Sequence, residues 1–427
     1  MWGAALEGWL ARDTALRRYG PWVGLAMAAA AYYRRFAKDT VGMEVYPQAA
    51  DCVIHGEPLR ACAELFSYPP AFAFLMAPFA AMPMELRIVV WYLVSLAATV
   101  GCFWVCEKLV LRLFPGRWSQ IELAWLRIVT VIVSLKFVLA VFEYQAYDTL
   151  AAFIVFLGLW AIVQNRSFVS GALLALAAAI KATPLVFLPY LVVKRRFVAA
   201  AIFVVVFVGL WLLPDAYSAL TGMYPHYTEN WLRQIVSPAL AHEQTDATFW
   251  KTWMGANILN HSFRGTVARM VVGTAAEIYG QSILYTLCAV YVAFVGLLML
   301  RTARRDDFVA VDGSILAISM LMLSPMTSRY HYILLVLPYM TVIGLAVRDR
   351  SLRVAAVVTM ALSFILGTAT SNDIAGHFLT EWSYQHNFLV LSALVLLAFL
   401  AFVVLRGDVR QMIAAYRVRQ TIIDETA

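Results

Sequence analysis

Long apolar runs separated by short polar stretches recur along the whole chain. Runs of about 20 apolar residues match the length that an α-helix needs to cross a hydrocarbon core of about 30 Å. The run from Phe203 to Val208 does not alternate apolar and polar residues, as a strand of an outer-membrane barrel would. We therefore predict an all-α polytopic membrane protein. By this pattern, single spans cover about 19–37, 86–107, 124–142, 148–164, 197–213, 272–300, 353–370 and 386–405.

Two further apolar runs are each broken near the middle by a proline. The first lies at about 167–193 and contains Lys181 and Pro184, and the second lies at about 308–347 and contains Pro325. Proline breaks a helix and disfavours the α conformation in the residue before it. We predict two broken hairpins, which raise the total to about 10–12 transmembrane helices.

The basic residues predict the orientation of these spans. Arginine and lysine collect before the first span, at Lys194 to Arg196 and after the last span, and positive charge favours the cytoplasmic side. We expect a multi-pass protein of the inner (plasma) membrane with both termini cytoplasmic. In this arrangement one domain covers 1–427, with outer segments at 38–85 and 214–270 and a cytoplasmic tail at 406–427.

Composition agrees with a membrane protein. Hydrophobic residues make up 62% of the chain and charged residues 14%, against about 25% charged in soluble domains. The net charge of +7 resides at span ends, so nucleic acid is not an expected partner, whereas membrane lipids are.

Cys52 and Cys62 share the first outer segment and could pair if that segment faces an oxidising compartment. The first span lacks a signal-peptidase motif and is expected to remain as an anchor.

The first outer segment carries a spread of carboxylates that includes Asp39 and Glu44. Such residues are either ordinary members of a solvated loop or general bases that act on a hydroxyl within hydrogen-bond reach. A second short outer turn contains Asp148, another candidate acid of the site.

Cations and amides are predicted at the same face. Lys181 lies at the tip of the first hairpin, and Arg329 and His331 lie at the tip of the second. Arginine and lysine can hold a phosphate, and prearranged cations stabilise a leaving phosphate as its charge grows. The long outer segment contains Asn257 and Asn260 among tryptophans and tyrosines, a composition suited to sugars.

These parts together favour glycosyl transfer from a lipid-linked phosphosugar to an outer-face acceptor. A transporter or flippase of lipid-linked sugars is the alternative from another class, and a non-catalytic assembly subunit is a third. Transporters place polar sites near the membrane midplane. Here the polar groups collect at one face, which favours the enzyme.

The order of several short motifs resembles glycosyltransferase family 87, membrane mannosyltransferases of the GT-C fold that use polyprenyl-phosphate mannose. The similarity extends along nearly the whole chain. The matching motifs are Val45-Tyr46 with Gly56-Glu57-Pro58, Tyr68-Pro69-Pro70, Gln145, Lys181 with Pro184, Asn260 with Ser262, and Ser324-Pro325 with His331.

The resemblance implies a GT-C-type architecture, a polyprenyl-phosphate sugar donor, a glycan or glycolipid acceptor, and no cofactor or metal. It places a catalytic aspartate three residues before the Val-Tyr pair, but that position is Gly42 here. We expect Asp39 as the base, with Glu44 as the second candidate. The expected donor-phosphate ligands are His331, Lys181 and Arg329, and the expected sugar or acceptor ligands are Tyr46, Tyr68, Gln145, Asp148, Asn257 and Asn260.

Overall fold

The structure is a computed structural model that describes residues 14–31, 33–38, 40–114, 116–223, 226–238 and 256–406. The described residues form helices and connecting turns, without a strand. In chain order the α-helices are α1 (Thr14–Ala31), α2 (Tyr33–Phe36), α3 (Val41–His55), α4 (Leu59–Cys62), α5 (Pro70–Leu75), α6 (Ala77–Ala80), α7 (Met84–Leu113), α8 (Gln120–Glu143), α9 (Asp148–Val163), α10 (Ser167–Ile180), α11 (Phe187–Val193), α12 (Phe197–Thr221), α13 (Tyr227–Trp231), α14 (Phe263–Val271), α15 (Gly280–Thr302), α16 (Val309–Met322), α17 (Val336–Arg348), α18 (Arg353–Gly367), α19 (Asn372–Gln385) and α20 (Phe388–Arg406).

The expected all-α polytopic class is confirmed. Within the described ranges, six helical segments are long and apolar enough to cross a membrane, and the bent pair α18–α19 would make a seventh. The shorter apolar helices α9 and α10 have 16 and 14 residues. Those lengths correspond to about 24 and 21 Å, less than a full hydrocarbon core. The predicted total of about 10–12 transmembrane helices therefore depends on counting the short helices as membrane crossings.

Both broken hairpins are present. α10 ends at Ile180, Lys181 is extended, and a 3-10 turn at Thr183–Val186 carries Pro184 at its start before α11 begins. In the second hairpin α16 ends at Met322, and a 3-10 helix at Arg329–Leu335 leads into α17. The proline residues interrupt the helices because they lack an N–H donor and clash with the preceding turn.

The helices differ in how much apolar surface they bury. Every residue of α16 is buried, so this helix forms the centre of the bundle. By contrast, α12 and α15 keep large apolar side chains exposed, with Val205 at 69% and Val290 at 64%. A soluble protein would not leave such surfaces in water, whereas a lipid environment accepts them.

The first outer segment folds into the short helices α3 to α6. α3 packs against α5, and α5 packs against α12. α3 is capped by Gly56, which follows the helix, adopts a left-handed conformation (φ 75°) and donates its backbone N–H to the carbonyl of Val53. The segment that follows α18 is also helical, since α19 continues from α18 with a bend of 77°.

Two buried ion pairs join helices inside the bundle. Lys194 Nζ lies 2.6 Å from Asp312 Oδ2, and both side chains are almost fully excluded from solvent. Arg127 binds Glu107 through two contacts of 2.6 and 2.7 Å. The pattern of basic residues predicts that Lys194, together with Arg195 and Arg196, is an orientation signal. The structure assigns it instead to the core, so that signal rests on Arg195 and Arg196.

Removing one partner of the Lys194–Asp312 pair should destabilise the fold strongly. Lys194→Met leaves the Asp312 carboxylate buried without its cation, which typically costs about 3–5 kcal/mol. We expect a large drop in the melting temperature of the purified protein in detergent. Asp306→Asn is the matched control, because it breaks a surface pair with Arg196 in which the Asp306 side chain is 68% exposed. Equal melting temperatures for the two variants would contradict a stabilising role for the buried pair.

Candidate functional site

A cavity of about 710 Å³ lies where the first outer segment meets the tips of both hairpins. Its polar wall includes Tyr46, Tyr68, Lys181, Arg264, Tyr330 and His331. Its apolar wall includes Leu65, Ile235, Val236, Leu284 and Cys288. α15, which supplies Leu284 and Cys288, also carries the exposed apolar surface described above. The cavity thus joins a group of polar side chains to a wall that suits hydrocarbon.

An ion pair lies at the polar end. Lys181 Nζ donates to Asp148 Oδ1 at 2.7 Å, and His331 Nε2 lies 3.5 Å from the same oxygen. Asp148 is the first residue of α9, where the helix dipole favours a negative charge. Lys181 and His331 line the cavity, and Asp148 lies behind them with 5% exposure. Three predicted site residues from separate parts of the chain therefore meet.

The orientation of His331 is fixed by the backbone. The N–H of Ser328 donates to His331 Nδ1 at 2.9 Å, so this nitrogen presents its lone pair. Within the described part of the chain, His331 Nε2 and Asp148 Oδ2 are buried and have no hydrogen-bond partner. Buried polar groups are nearly always satisfied, so such atoms point to a ligand or water in the working protein.

Three tyrosines border this ion pair. The rings of Tyr46, Tyr68 and Tyr147 pack edge to face, with centroids 4.8–5.9 Å apart. Burial raises the pKa of the Tyr46 and Tyr68 hydroxyls well above the usual value, with Tyr330 adding to the shift for Tyr46 and Tyr46 to that for Tyr68. Both hydroxyls are therefore protonated at physiological pH and can donate hydrogen bonds to a ligand.

Gln145 supports the site from outside the cavity. It adopts a left-handed conformation (φ 49°) and its side chain is fully buried. The amide accepts from the N–H of Met43 at 3.0 Å and donates to the carbonyl of Phe36 at 2.8 Å. The Trp91 indole donates to the Gln145 carbonyl at 2.9 Å. The side chain expected to bind sugar thus holds the first outer segment against the turn that precedes Asp148.

Gly42 is closed to any side chain. A Cβ atom built there would lie 2.8 Å from Gln145 Cβ and 2.9 Å from the Gln145 carbonyl oxygen. The position that carries an aspartate in the family resemblance is therefore a packing contact in this protein.

Of the two predicted bases, the structure describes Glu44 and not Asp39. Asp39 lies outside the described residues. Glu44 is exposed, accepts a hydrogen bond from the Thr40 hydroxyl at 2.5 Å, and does not line the described cavity wall. Both remain predictions.

Arg329 lies beside the cavity, where it contacts Glu143. Its guanidinium donates to Glu143 at 2.7 Å and to the Tyr144 hydroxyl at 2.9 Å. Arg35 contacts the other oxygen of Glu143 at 2.6 Å. This network joins α2 to the second hairpin tip through Glu143, and a direct phosphate contact by Arg329 remains a prediction.

The side-chain amides of Asn257 and Asn260, predicted to bind sugar or acceptor, form hydrogen bonds to the backbone. Asn260 is buried, donates to the Pro325 carbonyl at 3.0 Å and accepts from the Thr327 N–H at 3.1 Å. The Asn257 side chain accepts from the N–H of Leu259 at 2.8 Å. Neither belongs to the described cavity wall, so their sugar contacts remain predictions.

Cys52 and Cys62 form a disulfide, which joins α3 to α4. The Tyr227 hydroxyl donates to the carbonyls of Cys52 and Glu57 at 3.2 and 3.1 Å. The disulfide therefore lies where α13 packs on the first outer segment.

Sequence reasoning missed Tyr147, Tyr330 and Arg264. Tyr147 and Tyr330 each adjoin a predicted site residue along the chain, Asp148 and His331 respectively. That adjacency was the available signal, but it does not show which side of the backbone a ring occupies. Arg264 follows the Asn260–Ser262 motif closely, and burial is the main cause that lowers its pKa.

The fold and the site define a polytopic membrane protein with a cavity that is polar at one end and lipid-like at the other. The sequence model of Glycosyltransferase family 87 matches residues 66–325. The chain belongs to glycosyltransferase family 87. The matched region contains Tyr68, Asp148 and Lys181, whereas the predicted bases and His331 lie outside it.

A curated relative is a polyprenol-phosphate-mannose-dependent alpha-(1-2)-phosphatidylinositol pentamannoside mannosyltransferase of Mycobacterium tuberculosis (strain CDC 1551 / Oshkosh). It is 27% identical over 278 residues, which cover 64% of this chain and 56% of the relative. The chain thus spans about half the length of the curated relative that it matches.

The Gly42→Ala substitution should disturb the packing of the site without adding a reactive group. The new methyl group overlaps the Gln145 turn, and overpacking of this kind costs about 1–3 kcal/mol. We expect a lower melting temperature in detergent. Gly209→Ala is the control, because no atom lies within 4 Å of its added Cβ, and alanine favours a helix. A melting temperature for Gly42→Ala at or above that of Gly209→Ala would show that the Gln145 turn adjusts freely.

Proposed function

We propose that this protein is a membrane glycosyltransferase that moves a hexose, mannose by analogy with the relative, from a polyprenyl-phosphate sugar to an acceptor hydroxyl. The observation that carries the proposal is the cavity in which Lys181 and His331 meet an apolar wall on α15. A donor of this type needs a phosphate site and a hydrocarbon site side by side, and the cavity offers both.

The donor phosphate is assigned to Lys181 and His331. Lys181 supplies a positive charge, and the buried His331 Nε2 supplies a hydrogen-bond donor. Their donation becomes stronger as the leaving phosphate gains negative charge, which lowers the barrier. Arg329 supports the second hairpin tip through Glu143 and is assigned the outer part of the same phosphate site.

The sugar is assigned to the tyrosine end of the cavity. Tyr46 and Tyr68 present protonated hydroxyls beside Lys181. Aromatic faces and hydroxyl groups suit a hexose, and the acceptor glycan or glycolipid approaches from the first outer segment. Gln145 and Asn260 hold the backbone that shapes this end, and Asn257 contributes to the acceptor side.

In the reaction the acceptor oxygen attacks the anomeric carbon as the bond from that carbon to the phosphate oxygen breaks. Polyprenyl phosphate leaves with one more negative charge, and a carboxylate removes the acceptor proton. A single displacement of this kind inverts the anomeric configuration. Asp39 is the proposed base, since it comes two residues before Val41, which lines the cavity. Glu44 is the second candidate.

The reaction is assigned to the periplasmic or outer face of the inner membrane. A disulfide forms in oxidising compartments, and the Cys52–Cys62 pair lies in the same segment as the proposed base. Both termini are then cytoplasmic.

Sugar transfer by the purified protein tests the proposed function. With short-chain polyprenyl-phosphate mannose and a panel of glycolipid acceptors, we expect transfer by the wild type. Asp39→Asn and His331→Ala should each lower kcat by about 100-fold or more, because each removes a group that acts in the transition state. Glu44→Gln is the matched carboxylate variant and should stay near wild type.

Loss of transfer in Glu44→Gln with full activity in Asp39→Asn would move the base to Glu44. No transfer by a folded wild type with any donor sugar would reject the proposed function.

The assigned face makes a separate prediction about the cysteines. When membranes are isolated with an alkylating reagent, mass spectrometry should find Cys52 and Cys62 joined and Cys288 alkylated or free. Replacing both paired cysteines with serine should cost roughly 2–3 kcal/mol of stability for a loop of this length. Alkylation of Cys52 and Cys62 in membranes that received no reductant would argue that this segment faces a reducing compartment.

A further inference from the structure

One carboxylate oxygen contacts both proposed phosphate ligands. Asp148 Oδ1 lies 2.7 Å from Lys181 Nζ and 3.5 Å from His331 Nε2. The first contact is a short hydrogen bond. The second is longer than an ordinary hydrogen bond, so the imidazole is directed towards the carboxylate without being held by it. Asp148 lies behind the cavity wall and Lys181 and His331 form part of that wall.

The chemistry of His331 is restricted by its other nitrogen. The Ser328 N–H donates to Nδ1 at 2.9 Å, so a neutral imidazole carries its proton on Nε2. Nε2 cannot then accept a proton from an acceptor hydroxyl. Its remaining role is to donate a hydrogen bond into the site.

The geometry points to Asp148 as a positioning residue that holds Lys181 beside His331 for the donor phosphate and promotes release of the lipid phosphate product. This inference rests on the proposed function. The carboxylate holds the lysine at the cavity wall through their 2.7 Å contact. When a phosphate enters, Lys181 and His331 face it, and Asp148 remains behind them as a competing anion.

The competing anion has a different effect on donor and product. The donor phosphate carries one negative charge, and the phosphate of the released lipid gains a second as the anomeric bond breaks. A fixed carboxylate repels the doubly charged product more than the donor, because the energy grows with the product of the charges. Asp148 should therefore weaken product binding while it holds Lys181 in place beside His331 for transfer.

The test separates alignment from charge by comparing Asp148→Asn with Asp148→Glu in the full-length protein in detergent. Transfer kinetics use short-chain polyprenyl-phosphate mannose, and calorimetry measures the Kd of the corresponding polyprenyl phosphate. For Asp148→Asn we expect kcat to fall roughly tenfold to a hundredfold, as for the loss of a hydrogen bond to a charged group. The product should bind about fivefold more tightly or better, since the repulsion is gone.

Asp148→Glu keeps the charge but displaces the carboxylate. We expect a similar fall in kcat and a product Kd within about twofold of wild type. Asp51→Asn is the matched control, because Asp51 is exposed on α3 and pairs with His55 away from the cavity. It should leave both quantities unchanged.

Several outcomes would overturn the inference. If the kcat of Asp148→Asn equals that of the Asp51→Asn control, Asp148 has no positioning role. A fall in kcat with unchanged or weaker product binding indicates a merely structural effect.

If wild type transfers no sugar but binds polyprenyl phosphate, and Asp148→Asn binds it more tightly, the proposed function fails while the assigned role of Asp148 in phosphate binding stands.

Asp148→Asn leaves the Lys181 charge without its partner and can reduce folding. If the variant does not yield monodisperse protein, the double variant Asp148→Asn/Lys181→Gln removes both charges. We then compare the double variant with Lys181→Gln alone and expect product to bind about fivefold more tightly to the double variant, since the Asp148 repulsion is gone. Equal product affinity in these two variants would overturn the assignment.

Discussion

The ion pair between Lys181 and Asp148 is the contact on which the polar end of the cavity depends. It joins the tip of the first hairpin to the start of α9, and His331 brings the second hairpin tip to the same oxygen. Asp148 is buried and the Lys181 side chain is 13% exposed, and removal of one partner from a buried pair typically costs about 3–5 kcal/mol. The interaction that supports the proposed chemistry is therefore also a restraint on how the hairpins pack.

A second set of restraints comes from amides that bind backbone. Gln145 connects the first outer segment to the turn before Asp148, and Asn260 connects the start of α14 to the second hairpin tip. These side chains satisfy backbone groups of irregular segments, which would otherwise be costly near the membrane. The result is a polar wall built from turns, next to an apolar wall to which α15 contributes Leu284 and Cys288.

Much of this arrangement follows from the sequence, because it depends on local rules. Pro184 and Pro325 had to interrupt their helices, and an intramembrane Lys181 needed a partner or a function. The roles of Gln145, Asn260 and Arg329 could not be read in the same way. Each residue type can bind sugar, phosphate or backbone, and the choice depends on side-chain directions that distant segments determine. For the same reason the pattern could not show that Tyr147 joins Tyr46 and Tyr68, or that Lys194 is buried.

The close contact at Gly42 explains why the chain departs from the spacing that the family resemblance implies. An aspartate at that position would need the space occupied by Gln145, whose backbone and side chain are held by Trp91, Met43 and Phe36. Glycine and the fixed turn are therefore coupled: the turn brings Asp148 towards Lys181, and the absent side chain permits that turn. A carboxylate at position 42 would have to displace this turn, so the packing of one turn is the reason why the proposed base is placed at another position of the first outer segment.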